Sequence, residues 1–459
     1  MLKVSVVVIM SGRTAGVTID FGRSRTDRRP PRAGTPVRCT EAVTGPLPTA
    51  DRALGPDLAR GAMLLFIALA NSHYFVDAPA VLGGYPRDVA GLDAAVAWVI
   101  STFVDGRAFP LFGLLFGYGV ARIAARQERR GPRGVRRLLW RRAAALIIIG
   151  FLHAVLLYVG DILAAYGVLL LLGAWMVRWP DRRLLIFAAV FFTITALPSG
   201  DSLTIDAEPP GDPMLPPDLL TMLTARPPIS AFIALLGPIG FACPFALGLW
   251  AGRRRILEEP ERHRTLLRVT ACVGLGVAVL GAQPIALIHA GVVPVPDRST
   301  LELLGPLHDA SGVPGGCGYA ALLCLLALRL RARPGHRPVV DAIAATGQRS
   351  MTCYLAQSVV WAVTFTPFLL DLSGTLSIAG TALLATTTWL ATVLLADALR
   401  RTGRRGPFET LLRRVTYGPV RNPTPGQPPL PGAATMNAVT APDRSGERCA
   451  GQPKPPESG

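Results

Sequence analysis

A bundle of about ten transmembrane helices is the all-α fold that the sequence predicts, and three observations predict it. Half of the 459 residues are hydrophobic and only 17% are charged, whereas a soluble protein is about a quarter charged. The apolar residues gather into runs of the ~20 needed to cross a bilayer. The net charge of +17 sits in arginine clusters at the ends of those runs rather than on a nucleic-acid-binding face. Together these exclude a disordered chain, an ordinary soluble enzyme and a nucleic-acid partner. Lysine occurs only as Lys3 and Lys454, a bias that points to a GC-rich bacterial genome.

The predicted spans cover residues 61–79, 92–121, 139–158, 161–178, 183–199, 229–251, 265–290, 312–330, 350–370 and 375–397. The second contains Asp105, Arg107 and Pro110, so it is read as a kinked helix or as a short helix followed by another. The fourth and fifth are joined by the tight polar turn Trp179-Pro180-Asp181-Arg182-Arg183.

Loop charge tests this order. Between the second and third spans lie Arg122, Arg126, Arg129, Arg130, Arg133, Arg136, Arg137, Arg141 and Arg142 against Glu128 alone. Arg253, Arg254, Arg255, Arg262 and Arg264 separate the sixth from the seventh, and Arg331, Arg333 and Arg337 the eighth from the ninth. Arg400, Arg401, Arg404 and Arg405 follow the tenth. The loop after the fifth instead carries Asp201, Asp206, Glu208, Asp212 and Asp218, with no base before Arg226. Basic and non-basic loops therefore alternate, which places both termini in the cytoplasm of a multi-pass protein of the bacterial cytoplasmic membrane. The bilayer is one expected partner, and anionic lipid at the arginine-rich inner loops is another. Oligomeric state leaves no mark in the sequence.

Flanking the transmembrane domain, 57–417, residues 1–56 read as a disordered basic arm and 418–459 as a disordered cytoplasmic tail rich in Pro, Gly and Ser. The apolar run Val4–Met10 is too short for a secretory signal. Cys39, Cys243, Cys272, Cys317, Cys324, Cys353 and Cys449 form no CxxC pair or Cys/His cluster, so no metal site is predicted.

Polar residues inside the spans are the candidates for function, because they are costly in hydrocarbon. Asp57 and Arg60 precede Asn71 on the first span. Eleven helical steps return to within ~20° of one face, so Arg60 and Asn71 share a stripe with ~16 Å between them. The stripe reads either as a polar groove or as a snorkelling Arg plus an interhelical Asn. His73 lies about 200° around from Asn71 and is expected at the interface. His153, near the end of the third span, and Asp161, at the turn into the fourth, can meet across a helical hairpin. A carboxylate fixing the imidazole tautomer makes His153 a competent general base; the alternative is a buried packing histidine. Ser350, Tyr354 and Gln357 form a polar stripe at helical spacing, suited to helix contact or to substrate.

The chain resembles the YeiB-like family of bacterial inner-membrane proteins. The likeness rests on Asp57-Leu58-Ala59-Arg60-Gly61 with Asn71, and on Phe109-Pro110-Leu111-Phe112-Gly113-Leu114-Leu115-Phe116-Gly117. It continues through Gly150-Phe151-Leu152-His153, Gly160-Asp161-Ile162-Leu163, the 347–358 stretch and residues 406–417. Two positions depart from the family pattern: Cys353 stands where Asn is usual, and Pro110 where a basic residue is common. More distantly, the chain is similar to ten-helix membrane acyltransferases, in which an Arg and a His occupy the spacing of Arg60 and Asn71. Asn cannot serve as a base, so that comparison moves the role to His153.

The resemblance implies transfer of an acyl group from cytoplasmic acyl-CoA to an envelope glycan, lipid or small molecule. In this reading Arg60 meets the donor phosphates, Asn71 holds the acyl carbonyl, and His153 with Asp161 deprotonates the acceptor. Tyr354 and Gln357 complete the substrate-binding set. Two rival classes stay open: a transporter using the same groove, and a scaffold whose arginine loops bind anionic lipid.

Overall fold

The computed structural model describes residues 53–332 and 337–418, together with two strands near the N-terminus. Those strands, β1 (Ser5–Met10) and β2 (Arg13–Thr18), pair antiparallel. Disorder is expected there, but the run Ser5-Val6-Val7-Val8-Ile9 is rich in the β-branched residues that strands favour. The rest of the basic arm to residue 52, and the tail from residue 419, lie outside the described residues.

The larger unit is helical. In order it contains α1 (Leu54–Ser72), the small hairpin β3 (Val81–Leu82) and β4 (Tyr85–Pro86), α2 (Gly91–Phe103) and α3 (Ala108–Arg126). Then follow α4 (Gly131–Leu156), α5 (Leu163–Met176), α6 (Asp181–Ala196), α7 (Leu219–Leu236) and α8 (Pro238–Arg253). The series closes with α9 (Arg264–His289), α10 (Arg298–Arg331), α11 (Pro338–Gln348), α12 (Ser350–Phe365), α13 (Ile378–Arg401) and α14 (Pro407–Tyr417). Six stretches among the described residues are long and apolar enough to cross a membrane: 91–126, 128–156, 219–236, 264–289, 298–331 and 378–401. The protein is a helical membrane protein.

Two of the ten expected spans are each two helices. The second breaks between Phe103 and Ala108, where Gly106 adopts a φ of +69° that an L side chain rarely takes. Pro110 falls in the first turn of α3, where its missing N–H costs no helical bond. The sixth, expected at 229–251, is α7 and α8 with Gly237 between them. Pro238 opens α8 at a position that favours proline, so a Gly-Pro pair inside an apolar run starts a new helix.

Helix α7 shows how the bundle meets lipid. Its buried residues are Met222, Arg226, Ser230 and Ala234, one every fourth residue and thus one stripe. Leu220, Leu223, Phe232 and Leu235 on its other faces are exposed, as a lipid-facing surface requires. Arg226 turns inward and donates to the carbonyls of Pro213, Met214 and Val155.

Three contacts set the frame. Helices α3 and α8 run parallel: Gly113 lies against Pro244, Gly117 against the Phe245 carbonyl, and Gly252 against Tyr118. A methyl group at Gly117 or Gly248 would collide with the facing backbone, so both positions require a bare Cα. Helices α9 and α10 are antiparallel, with Gly274 beside Pro314 and Gly281 beside Ser311. Helices α4 and α5 form the expected antiparallel hairpin, in which Gly150 lies on the Ala164 backbone and Gly167 on Ala143 and Ile147.

The last helix is a cap for another. Glu409 of α14 accepts from the Met351 and Thr352 amides at 2.8 and 3.1 Å and from the Thr352 hydroxyl at 2.6 Å. Helix α12 has no capping side chain at its own N-cap, Arg349, so the carboxylate meets the otherwise open amides of its first turn.

Candidate functional site

The α4–α5 hairpin brings His153 and Asp161 together. His153 Nδ1 lies 2.8 Å from Asp161 Oδ1, and the two side chains are each 1% exposed. The second carboxylate oxygen accepts from the Ala164 amide at 2.8 Å. Asp161 is thus tied to the first turn of α5 while it orients the imidazole. A proton on Nδ1 leaves Nε2 as the lone-pair nitrogen, and Nε2 is buried with no hydrogen-bond partner. Gly150 makes this possible, because a methyl group there would strike Asp161 Oδ2 and the Ala164 amide.

One more of the expected residues, Tyr354, stands beside this pair, and Asn71 is linked to the same hairpin through Tyr158. Tyr158 Oη donates to Asn71 Oδ1 at 3.0 Å, which keeps the Asn71 amide NH₂ available as a donor. The Tyr354 ring stands 5.1 Å from the His153 ring, centroid to centroid. Its hydroxyl is buried within electrostatic reach of Asp161, without a partner at hydrogen-bond geometry. Cys353 turns the other way, with Sγ 3.8 Å from the Thr392 carbonyl, so its departure from the family's Asn falls on the α12–α13 contact.

Two expected residues lie elsewhere. Arg60 is at the opposite end of α1, paired with Asp57 at 3.1 Å and close to Gly119 of α3. Gln357 approaches Thr392 Oγ1 at 3.5 Å, a contact between α12 and α13. Position on a shared helix stripe did not bring either of them to the dyad.

Across the last turn of α1 from Asn71 is a second buried polar cluster that sequence reasoning missed. His73 belongs to it; expected at the interface, it is 0% exposed. Its ring stacks on Tyr85 at 4.1 Å and 10°, and Nε2 lies 3.9 Å from Asp105 Oδ2. Tyr85 Oη donates to that same oxygen at 2.6 Å. Burial and the neighbouring Asp105 push the Tyr85 phenol well above its ordinary pKa, so it is a donor at any physiological pH.

Deeper in this cluster, Arg107 is the largest fully buried side chain. It donates to the Ala278 carbonyl at 2.6 Å and to Ser311 Oγ at 3.1 Å. One of its terminal nitrogens is 2.8 Å from His308 Nε2 and 3.4 Å from His308 Nδ1. Reaching both ring nitrogens places that guanidinium nitrogen over the imidazole face rather than in its plane. His308 Nε2 is also 3.0 Å from the Ser101 carbonyl, to which it donates. His289 is 3.0 Å from Ser101 Oγ through Nδ1 and 3.1 Å from the Thr204 carbonyl through Nε2. Asp309 accepts from Ser202 and Thr204 hydroxyls at 2.6 and 2.8 Å. Asp105 and Arg107 stood out in the sequence as charges in an apolar run, but only as signs of a kink. Applying the same test to His289 and His308, lone polar residues in apolar helices, would have found the remainder. A cleft of about 130 Å³ opens beside this cluster, lined among others by Tyr85, His289, Arg87, Val293 and Pro294.

The fold and the site define a class: a helical membrane protein with a His–Asp pair buried at a helical hairpin. Residues 251–419 match the family described as a protein of unknown function, DUF418, a region that includes Tyr354 but not the dyad. The Bacillus subtilis (strain 168) protein YxaH is 27% identical over 355 residues, covering 71% of this chain and 83% of YxaH. The Escherichia coli (strain K12) protein YeiB is 35% identical over 130 residues, 27% of this chain and 30% of YeiB. Both relatives are described as uncharacterised. The chain is thus similar to the YeiB-like DUF418 proteins, with the family's pattern matched over residues 251–419.

Proposed function

We propose that the protein is an acyltransferase with His153 as its general base. One observation carries this reading: a buried imidazole with Nδ1 held by Asp161 and Nε2 open. The acceptor hydroxyl or amine donates its proton to Nε2 as its oxygen or nitrogen attacks the acyl carbonyl. In this reading the Asn71 amide and the Tyr354 hydroxyl donate to the oxyanion that forms. Collapse breaks the C–S bond of the thioester, and the imidazolium returns its proton to the departing thiolate.

The donor in this reading is a cytoplasmic acyl-CoA. Arg60, held by Asp57, would meet its phosphates at the opposite end of α1. The acceptor, an envelope glycan, lipid or small molecule, then enters from the dyad's side. The charge alternation supports ten spans with both termini cytoplasmic in a bacterial cytoplasmic membrane, and anionic lipid at the arginine-rich loops. Gln357 serves as a helix clamp beside Tyr354 rather than as a substrate ligand. The test is turnover of radiolabelled acetyl-CoA by membranes carrying wild type or His153→Ala. Equal acetyl incorporation by the two would remove the base from the mechanism.

A transporter is the second reading, and the broken helices favour it. The pairs α2–α3 and α7–α8 are each interrupted, and α3 and α8 then pack side by side in parallel. Interrupted helices line substrate sites in many transporters. Uptake by proteoliposomes that needs no acyl donor would favour this reading over acyl transfer.

A further inference from the structure

Helix α4 is longer than a bilayer needs. Its 26 residues rise about 39 Å against a hydrocarbon core of ~30 Å, so one end stands beyond that core. The basic end is the one that projects, since from Glu128 to Arg142 the chain holds seven arginines against one acid. A run of ~20 residues counted back from Leu156 ends at Arg137, which leaves Arg136 just outside. There the Arg136 guanidinium stands 5.1 Å over the Trp140 ring and 5.9 Å over the Trp175 ring of α5. The two indoles meet edge to face at 5.2 Å. Trp140 Nε1 donates to the Leu171 carbonyl at 3.2 Å, which fixes the pair on the α4–α5 seam. Tryptophan at the end of an apolar run, with arginine above it, is the pattern of a bilayer interface.

The surface itself selects the ligand. A guanidinium stacked on aromatic rings uses its face and keeps its N–H edge for an anion. Among the described residues no carboxylate pairs with Arg136. A second arginine stacked on tryptophan is committed elsewhere: Arg254 lies 5.4 Å over Trp250, and its Nε and a terminal nitrogen donate to Asp181 at 3.2 and 2.9 Å. Arg133, one turn before Arg136 and exposed, adds another positive charge. Below the indoles the surface is apolar. Trp140, Ala144 and Ile148 follow one another at four-residue spacing on one ridge. Ala144 and Ile148 are exposed, as are Leu172 and Trp175 of the neighbouring helix. Positive charge at the head and open apolar surface beneath it match a molecule with an anionic phosphate and long hydrocarbon chains. A free phosphate would leave the ridge uncovered, and a soluble protein would not reach below the hydrocarbon boundary.

We propose that Arg136, Trp140 and Trp175 form a site for one anionic phospholipid. Its phosphodiester meets the N–H edge of Arg136, with Arg133 beside it, and an acyl chain lies along the α4–α5 surface. The proposal rests on the anionic-lipid reading of the arginine-rich loops and gives that reading one address. It does not depend on acyl transfer.

The experiment is native mass spectrometry of the full chain in detergent, with added phosphatidylglycerol or phosphatidylcholine of the same acyl chains. Wild type should hold phosphatidylglycerol more tightly than phosphatidylcholine. Arg136→Gln should weaken phosphatidylglycerol binding about fivefold, the share of one basic group at an anionic surface, and leave phosphatidylcholine unchanged. Trp175→Leu, which keeps apolar surface but removes the ring, should weaken it as well. Arg254→Gln removes the same charge from the end of α8 and should change nothing. All three positions are at least partly exposed, so the variants keep a folded bundle, which thermal unfolding checks. Undiminished phosphatidylglycerol binding by Arg136→Gln and Trp175→Leu overturns this address, while a lipid preference kept by those variants leaves the loop reading standing. An equal loss in Arg254→Gln also overturns it, because diffuse charge then suffices. A wild type without preference for phosphatidylglycerol overturns both the address and the loop reading.

Discussion

His153 and His289 are both 3% exposed, and both bond across helices or loops, yet they differ in one nitrogen. His289 donates to a carbonyl on one side and accepts from a serine on the other. His153 spends one nitrogen on Asp161 and leaves the other open. An unmet polar atom in a protein interior costs about 1–3 kcal/mol. A histidine that only ties helices together has no reason to bear that cost, and His289 does not. Burial therefore does not distinguish the two histidines; the unused nitrogen does.

The largest effects test the open nitrogen. His153→Ala should lower acyl transfer by about 10²–10⁴-fold with membrane insertion retained, and thermal stability should fall because the buried Asp161 carboxylate loses its partner. Asp161→Asn should match it, because an amide donor facing Nδ1 forces the proton onto Nε2. Transfer at the wild-type rate in either variant would put His153 in the same category as His289. Next comes Gly150→Ala, whose methyl must push α4 away from Asp161 and α5. Overpacking of this kind costs about 1–3 kcal/mol, and the melting point and the rate should fall together. A change in one without the other would separate the hairpin from the chemistry.

His289→Ala should produce the mirror result. It strands the Thr204 carbonyl and the Ser101 hydroxyl, so stability should drop by roughly 1–3 kcal/mol with activity per folded molecule unchanged. A loss of specific activity in well-folded His289→Ala would erase the contrast. The smallest effect is at Arg60, where Lys replaces a forked guanidinium by a point charge. Acyl-CoA affinity should fall by at most about tenfold and acceptor affinity should hold. Equal acyl-CoA binding by wild type and Arg60→Lys, measured on purified protein, would remove the phosphate role.

The dyad was legible because both members sit on one hairpin, eight residues apart, where local geometry decides contact. The helical class was legible from the length of the apolar runs. The break at Gly106 was legible as a choice between kink and interruption, since charges and a proline marked it. The break at Gly237 was legible in the same way, since Gly237-Pro238 and Pro244 mark the sixth span as a candidate for a Gly/Pro-broken helix. The His73 cluster was not legible. Arg107 meets His308 across 201 residues and Ser101 meets His289 across 188, and no spacing rule links positions so far apart. Arg60 and Asn71 share a helix face as expected. A straight helix, however, holds residues eleven steps apart at a distance, and a shared stripe is not a shared site.

The bond from Glu409 to the start of α12 has a consequence for how the chain is made. The helix that carries Tyr354 leaves the ribosome 57 residues before the carboxylate that meets its Thr352 amide. Until then its first amides have only water or headgroups to bond, and its end is free to fray. The wall of the site on α12 is therefore among the last parts of the bundle to set during biosynthesis. A message truncated just past α13 yields a chain that keeps every long apolar helix described here but lacks the carboxylate that ties down the start of α12.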